Sequence, residues 1–303
     1  MIKLERVRTT DAVYGGLRGR YLKDKERQLL TSVKDSAGNP EFKSHWRKAA
    51  DQLKKETADK CGYCESPIER GDVDHFRPKA RYWWLVYCYD NFIFSCPVCN
   101  QEYKSDNFPI RREKYKGPVV FSGLEPHELE NLIGTFAPDP LDPDAVKSFH
   151  ALCCDEDPLL LNPYVEDPEP LFKWVCDEIL MEVEIQAADN LDELRRQRFE
   201  AVAKYYGLNR EHLRKRRFDT FESWKYKQSY AISFQKMKGD AFAENRVRDL
   251  LHDVLPPSLF NDLPFNDIDR CIDTAIDYFK GRMEQMRAAD QPYAAMVRSL
   301  AVD

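Results

Sequence analysis

Residues 61–100 read CGYCESPIERGDVDHFRPKARYWWLVYCYDNFIFSCPVCN, and the fold turns on this stretch. Two Cys-x2-Cys pairs, Cys61 with Cys64 and Cys96 with Cys99, stand 31 residues apart. Four soft thiolates in two knuckles are the donor set that tetrahedral structural zinc favours. Such a site is closed, so it holds shape and leaves chemistry to residues beside it. A thioredoxin-like redox site would need one pair in a βαβ context, which is not visible here, and that reading is set aside.

Between the knuckles the sequence turns to short aromatic-rich runs, "GDVDHFRPKARYWW" and "YDNFIFSCPVCN", the pattern of a β-hairpin followed by a helix. Asp74, His75 and Asn91 lie inside the loop; Asn100 and then Lys104 follow the last cysteine. Hydrolysis of a phosphodiester needs a water in line, a base that is neutral at working pH, and positive charge on the phosphate. Histidine, with an unperturbed pKa of about 6.5, supplies such a base. On an extended strand Asp74 and His75 point to opposite faces, so one can hold a metal while the other approaches the water. Arg77, Lys79, Arg81, Lys104, Arg111 and Arg112 are candidates for backbone phosphate contacts, Lys104 foremost. Tyr82, Trp83, Trp84 and Tyr87 could stack on bases, although such a cluster more often belongs to a core. His45, His127, His150, His212 and His252 have no comparable setting.

Outward from this centre, a chain of 303 residues with 43% hydrophobic residues exceeds the usual single-domain size. Its nine cysteines are an odd number; Cys88, Cys153, Cys154, Cys176 and Cys271 have no ligand spacing and are expected as small buried hydrophobes. No apolar run of about 18 residues could span a bilayer, and the N-terminus lacks a signal-like apolar region, so a cytoplasmic protein that does not cross a membrane is expected. The net charge of −6 conceals an uneven distribution. Residues 1–60 carry 15 Lys and Arg against 9 Asp and Glu, residues 117–194 carry 2 against 19, and residues 195–248 carry 15 against 6.

Four segments follow: a helical N-terminal segment over 1–60, the compact centre over 61–116, an acidic Pro-rich connector over 117–188, and a helical C-terminal domain over 189–303. In the first, "DKERQLLTSVK" and "SHWRKAADQLKKETADK" have helical spacing around a turn at "DSAGNP", the second helix running into Cys61. Within the connector, residues 117–170 read as long loops or short strands. From about 189 a helix begins at an Asp or Asn cap and stops near Gly207; Asn209 can cap the next, and a further helix lies around "DIDRCIDTAIDYFKGRMEQMRAA". The fold class expected is mainly α with a small α+β core.

Cys-x2-Cys, Asp-His, Asn and Cys-x2-Cys-Asn in this order resemble the HNH (ββα-metal) nucleases, specifically the zinc-stapled kind related to phage Holliday-junction resolvases and McrA-like restriction enzymes. The resemblance covers about 61–110. It implies a metal-dependent endonuclease in which His75 is the general base, Asp74 and Asn100 are ligands of one divalent ion, and Asn91 orients the loop that carries His75. Where that family often has a second His this chain has Asn100, a hard neutral donor that favours Mg²⁺ or Mn²⁺. Arg77, Lys79 and Lys104 would meet DNA. With "MIKLER", "CGYCE", "DVDHFRPK", "CPVCN" and "LLLNPYVEDPE", the chain also resembles the PtuB-like HNH subunit of Septu-type anti-phage systems, found beside retrons as well. That resemblance implies an SMC/ABC-like ATPase (PtuA-like) as partner and leaves room for a homodimer within a larger complex. The acidic block would then repel nucleic acid until activation. A reading from another class is a non-catalytic zinc module that binds nucleic acid or scaffolds the ATPase; the joint presence of Asp74, His75, Asn91 and Asn100 argues against it.

Overall fold

The computed structural model describes residues 1–36, 40–239 and 244–300. The turn expected at "DSAGNP" lies partly outside them. The protein is mainly helical with two small two-stranded sheets, and none of its described helices is long and apolar enough to cross a membrane. The chain divides into two compact units, Met1–Val175 with Ile185–Leu213, and Cys176–Glu184 with the chain from Arg214 onward. This division cuts the chain at other places than the four sequence segments do.

In the first unit, α1 (Gly19–Asp35) buries Leu22, Leu29, Leu30 and Val33, and α2 (Ala50–Glu56) buries Leu53. The helix expected to reach Cys61 stops at Glu56. Ala58 and Asp59 adopt positive φ, and Lys60 pairs with Pro67 to close the first knuckle. Strands β1 (Asp72–His75) and β2 (Phe92–Ser95) are antiparallel, with Val73 opposite Phe94, Asp74 opposite Ile93 and His75 opposite Phe92. Strand alternation sends Val73 to a core shared with Phe92, Phe94, Leu29 and Leu53. A π-helical segment, Val98–Lys104, follows β2.

The acidic connector holds helices that its prolines had disguised: α3 (Pro126–Leu132) and α4 (Pro143–Cys154) both begin on Pro. Proline at the first helical position loses no hydrogen bond, and Asp142 caps α4 by accepting from the Asp144 and Ala145 amides. Next come the paired strands β3 (Phe172–Asp177) and β4 (Glu182–Ala187), then α5 (Glu193–Tyr205), whose Asp192 cap accepts the Arg195 amide at 2.8 Å. Gly207, at φ +60, ends the run as expected. Asn209 accepts from the Ile185 N–H and donates to the Ile185 carbonyl.

The second unit contains most of α6 (Glu211–Met237), then α7 (Glu244–Val254), α8 (Pro257–Asn261), α9 (Ile268–Arg287) and α10 (Ala294–Ser299). Phe234, Val247, Leu251, Ile272, Ala275 and Phe279 form its core.

One core carboxylate carries a measurable consequence. Glu26 of α1 is 1% exposed, accepts the Gly134 amide at 2.7 Å through Oε2, and has no partner at Oε1. Burial, partly offset by that amide and by Lys23, pushes its pKa up to about 7. The folded state therefore favours the protonated form, and stability declines as pH rises from about 4.5 to about 7. Glu26→Gln should stabilise the protein at pH 8 by up to ~3 kcal/mol and leave its melting temperature nearly unchanged at pH 4.5; thermal melts at both values check this.

Candidate metal and catalytic site

Cys61, Cys64, Cys96 and Cys99 converge: all four are buried and their sulfurs lie within 4.8 Å of one another. All nine cysteines are free thiols. A Zn–S bond of about 2.3 Å sets sulfur–sulfur edges of roughly 3.8 Å in a tetrahedron. Cys64 Sγ and Cys96 Sγ are 4.0 Å apart, so the cluster can hold a zinc ion after small adjustment. Its local path is set by backbone bonds: Gly62 N–H donates to the Phe94 carbonyl at 2.9 Å, and the Cys99 amide donates to Cys96 Sγ at 3.4 Å. A side chain at position 62 would put its Cβ 2.9 Å from Ile93, so glycine is required for this approach. Arg210, absent from any sequence reading, donates to Cys64 Sγ at 3.4 Å and Cys99 Sγ at 3.5 Å. Its charge offsets that of the thiolates.

Strand β1 separates the next two residues as alternation requires. On one face His75 is buried, edge-on to Trp46 and Phe92 at 5.1 and 5.2 Å. Its Nε2 lies 3.0 Å from the Val86 carbonyl; a proton there leaves Nδ1 as the acceptor. Burial, partly offset by Val86 and Asp74, pushes the imidazole pKa down to about 4. On the other face Asp74 accepts from Tyr63 Oη through Oδ2 and from Lys104 Nζ at 3.1 Å through Oδ1. Tyr63 sits between the first two cysteines and stacks on Tyr206 at 4.0 Å, so the knuckle itself reaches Asp74.

Asn91 clamps the chain just past His75. Its Oδ1 accepts the Arg77 amide at 2.8 Å, its Nδ2 donates to the Arg77 carbonyl at 3.0 Å, and its own carbonyl accepts the Phe76 amide. Asn100 donates through Nδ2 to Asp72 at 3.1 Å, so its amide is oriented by that carboxylate. The donor chemistry fits one hard divalent ion: a carboxylate oxygen of Asp74 and the amide oxygen of Asn100, lining the same cleft.

That cleft, about 730 Å³, is lined by Trp46, Arg47, Asp72, Asp74, His75, Lys79, Asn100 and Asp106 among others. Arg47 and Lys79 are exposed on it and have no ion-pair partner among the described residues. Arg47 was not among the basic residues expected to meet phosphate; of those that were, Arg77 and Lys104 face inward. Arg77 is buried, paired with Glu156 at 2.7 Å and bound to the Cys153 carbonyl. Lys104 is fully buried, and besides Asp74 it donates to the His75 carbonyl at 2.8 Å. Arg81 donates to the Phe108 carbonyl and Arg111 pairs with Asp157. Tyr82, Trp84 and Tyr87 are core residues. Of the unassigned cysteines, Cys88, Cys153 and Cys271 are buried as expected, Cys176 is half-buried and Cys154 is exposed.

Compared with known proteins, the chain is 37% identical over 91 residues to the Septu protein PtuB of Bacillus mycoides, a match covering 24% of this chain and 31% of that protein. The aligned part is thus under a third of that relative's length. No family model and no solved structure matches.

Stripping metal should separate the cluster from an ordinary core. Removal of zinc with a strong chelator, or Cys61→Ser, should lower the melting temperature by many degrees, with loss of one bound zinc per chain in a colorimetric zinc assay. A zinc-free Cys61→Ser protein that melts like the wild type would remove the metal from this account.

Proposed function

We propose that the chain is a metal-dependent HNH endonuclease that hydrolyses DNA phosphodiester bonds, acting as nuclease effector of an anti-phage defence complex with an SMC/ABC-like ATPase. The observation that carries the reading is the setting of His75: one ring nitrogen is bound to the Val86 carbonyl, and the ring lines a cleft shared with Asp74, Asn100, Arg47 and Lys79. The partial match to the Septu protein PtuB supports the defence role.

In this reading Arg47 and Lys79 draw the substrate's phosphates into the cleft. A divalent ion such as Mg²⁺ or Mn²⁺, held by Asp74 and Asn100, would supply positive charge to the phosphate and the leaving oxygen. His75 Nδ1 takes the proton from the attacking water. The Val86 carbonyl keeps the other ring nitrogen protonated, so the tautomer is fixed before substrate arrives. Asn91, by holding the Arg77 backbone from both sides, keeps the exit from β1 in place. Trp46 limits the ring's rotation and excludes water from one side of it. The non-catalytic zinc module remains the second reading, and the pairing of Asp74 with Lys104 speaks for it.

Plasmid cleavage with Mg²⁺ or Mn²⁺, in the presence and absence of the ATPase, tests the proposal. His75→Ala should lose about 10²–10⁴-fold in rate, the ordinary contribution of a general base, with zinc content unchanged and melting lowered by loss of the buried ring. Equal cleavage by the variant would reject the base; no cleavage by the wild type under any of these conditions would favour the scaffold reading.

A further inference from the structure

One cation bound to Asp74, a residue that lines the cleft, is withdrawn from solvent. Lys104 Nζ lies 3.1 Å from Asp74 Oδ1, 3.0 Å from Oδ2 and 2.8 Å from the His75 carbonyl, and the side chain is fully buried. Both carboxylate oxygens are therefore shared with one ammonium, and Tyr63 occupies a further site on Oδ2. The backbone is shaped to deliver it: the segment that carries Lys104 is π-helical, and Ser105 leaves it at φ +45, an unfavourable value for a residue with a side chain. A buried ammonium needs a compensating charge, and Asp74 is the carboxylate that supplies it.

We infer that Lys104 is a positioning residue that acts as a resident monovalent cation on Asp74, so that a divalent ion in the cleft has to share this carboxylate with it. The part played by the divalent ion rests on the nuclease reading above. Two consequences follow from charge alone. Asp74 and Lys104 together are neutral, so the free protein attracts a divalent ion less than a bare carboxylate would. With the chelating edge of Asp74 facing the ammonium, the carboxylate offers the ion one oxygen rather than two. The free protein is thereby a weak ion binder, and a phosphate oxygen of bound substrate completes the set of donors. Tyr63 keeps the carboxylate in this orientation from the zinc knuckle.

Lys104→Met removes the charge and keeps the chain length, and the test is Mn²⁺ binding to the full-length, zinc-loaded protein, by electron paramagnetic resonance or calorimetry. The variant should bind Mn²⁺ at least tenfold more tightly than the wild type. Its melting temperature should be lower without Mn²⁺ and should rise on adding Mn²⁺ by more than the wild type's does, because the ion replaces the lost partner of Asp74. If Lys104→Met does not fold, Lys104→Gln, which can still donate to Asp74, should show the same gain in smaller measure. Unchanged or weaker Mn²⁺ binding in the folded variant, with wild-type binding measurable and abolished by Asp74→Asn, would overturn the inference and leave the nuclease reading standing. Absence of Mn²⁺ binding in all three proteins would remove the ion from Asp74, and both readings would fall together.

Discussion

Everything at the cleft depends on the convergence of four thiols. A two-stranded sheet of four residues per strand is marginal in water by itself. Here its outer ends are tied together, because one knuckle precedes β1 and the other directly follows β2. The tie fixes the π-helical segment that starts between Cys96 and Cys99, and so the placement of Asn100 and Lys104. It also fixes Tyr63, which belongs to the first knuckle and reaches across to Asp74. Bound zinc would therefore act on the reactive groups through two covalently attached arms, one from each knuckle, without taking part in chemistry. Arg210 adds a third element from far along the chain, linking the knuckles to the turn that ends α5.

Charge is arranged by a related logic. Part of the acidic block is spread in space as counter-charges: Glu156 on Arg77, Asp157 on Arg111, Glu130 on Arg27, Glu166 on Arg198. The exposed pairs among these add little stability. Their effect is to cancel fields, so the block repels a polyanion less than its formal charge suggests. Arg47 and Lys79, exposed on the cleft, have no such partner among the described residues.

How much of this was legible in the sequence depends on the range of the interaction. The four cysteines, the alternation that parts Asp74 from His75, the stop of α5 at Gly207 and the mainly helical class are local patterns, and they could be read directly; the cap of α5 falls at Asp192, past the Asp189 or Asn190 expected. Helices α3 and α4 were hidden because proline was read as a breaker where it occupies a first turn. The β3–β4 pair was missed although the spacing of Val183 and Ile185, both buried, follows a strand period. Trp46, Arg47 and Arg210 reach the centre only through tertiary packing, and nothing in their neighbourhoods announces it. Lys104 shows the limit most clearly: a lysine beside a candidate site reads as a phosphate contact, but whether it faces the cleft's solvent or its floor depends on a helix that is π rather than α.

The depressed pKa of His75 constrains how such a site could work. A base with a pKa of about 4 is always deprotonated at neutral pH, yet it accepts a proton reluctantly. The main cause is burial, and burial penalises only the charged form. Negative charge brought close to the ring offsets that penalty. In the nuclease reading, a phosphate drawn in by Arg47 and Lys79 would be such a charge. The basicity of His75 would then rise with an anion in the cleft and fall when the cleft is open, so that the same enclosure by Trp46 and Phe92 that makes the free base weak would make it responsive to bound charge.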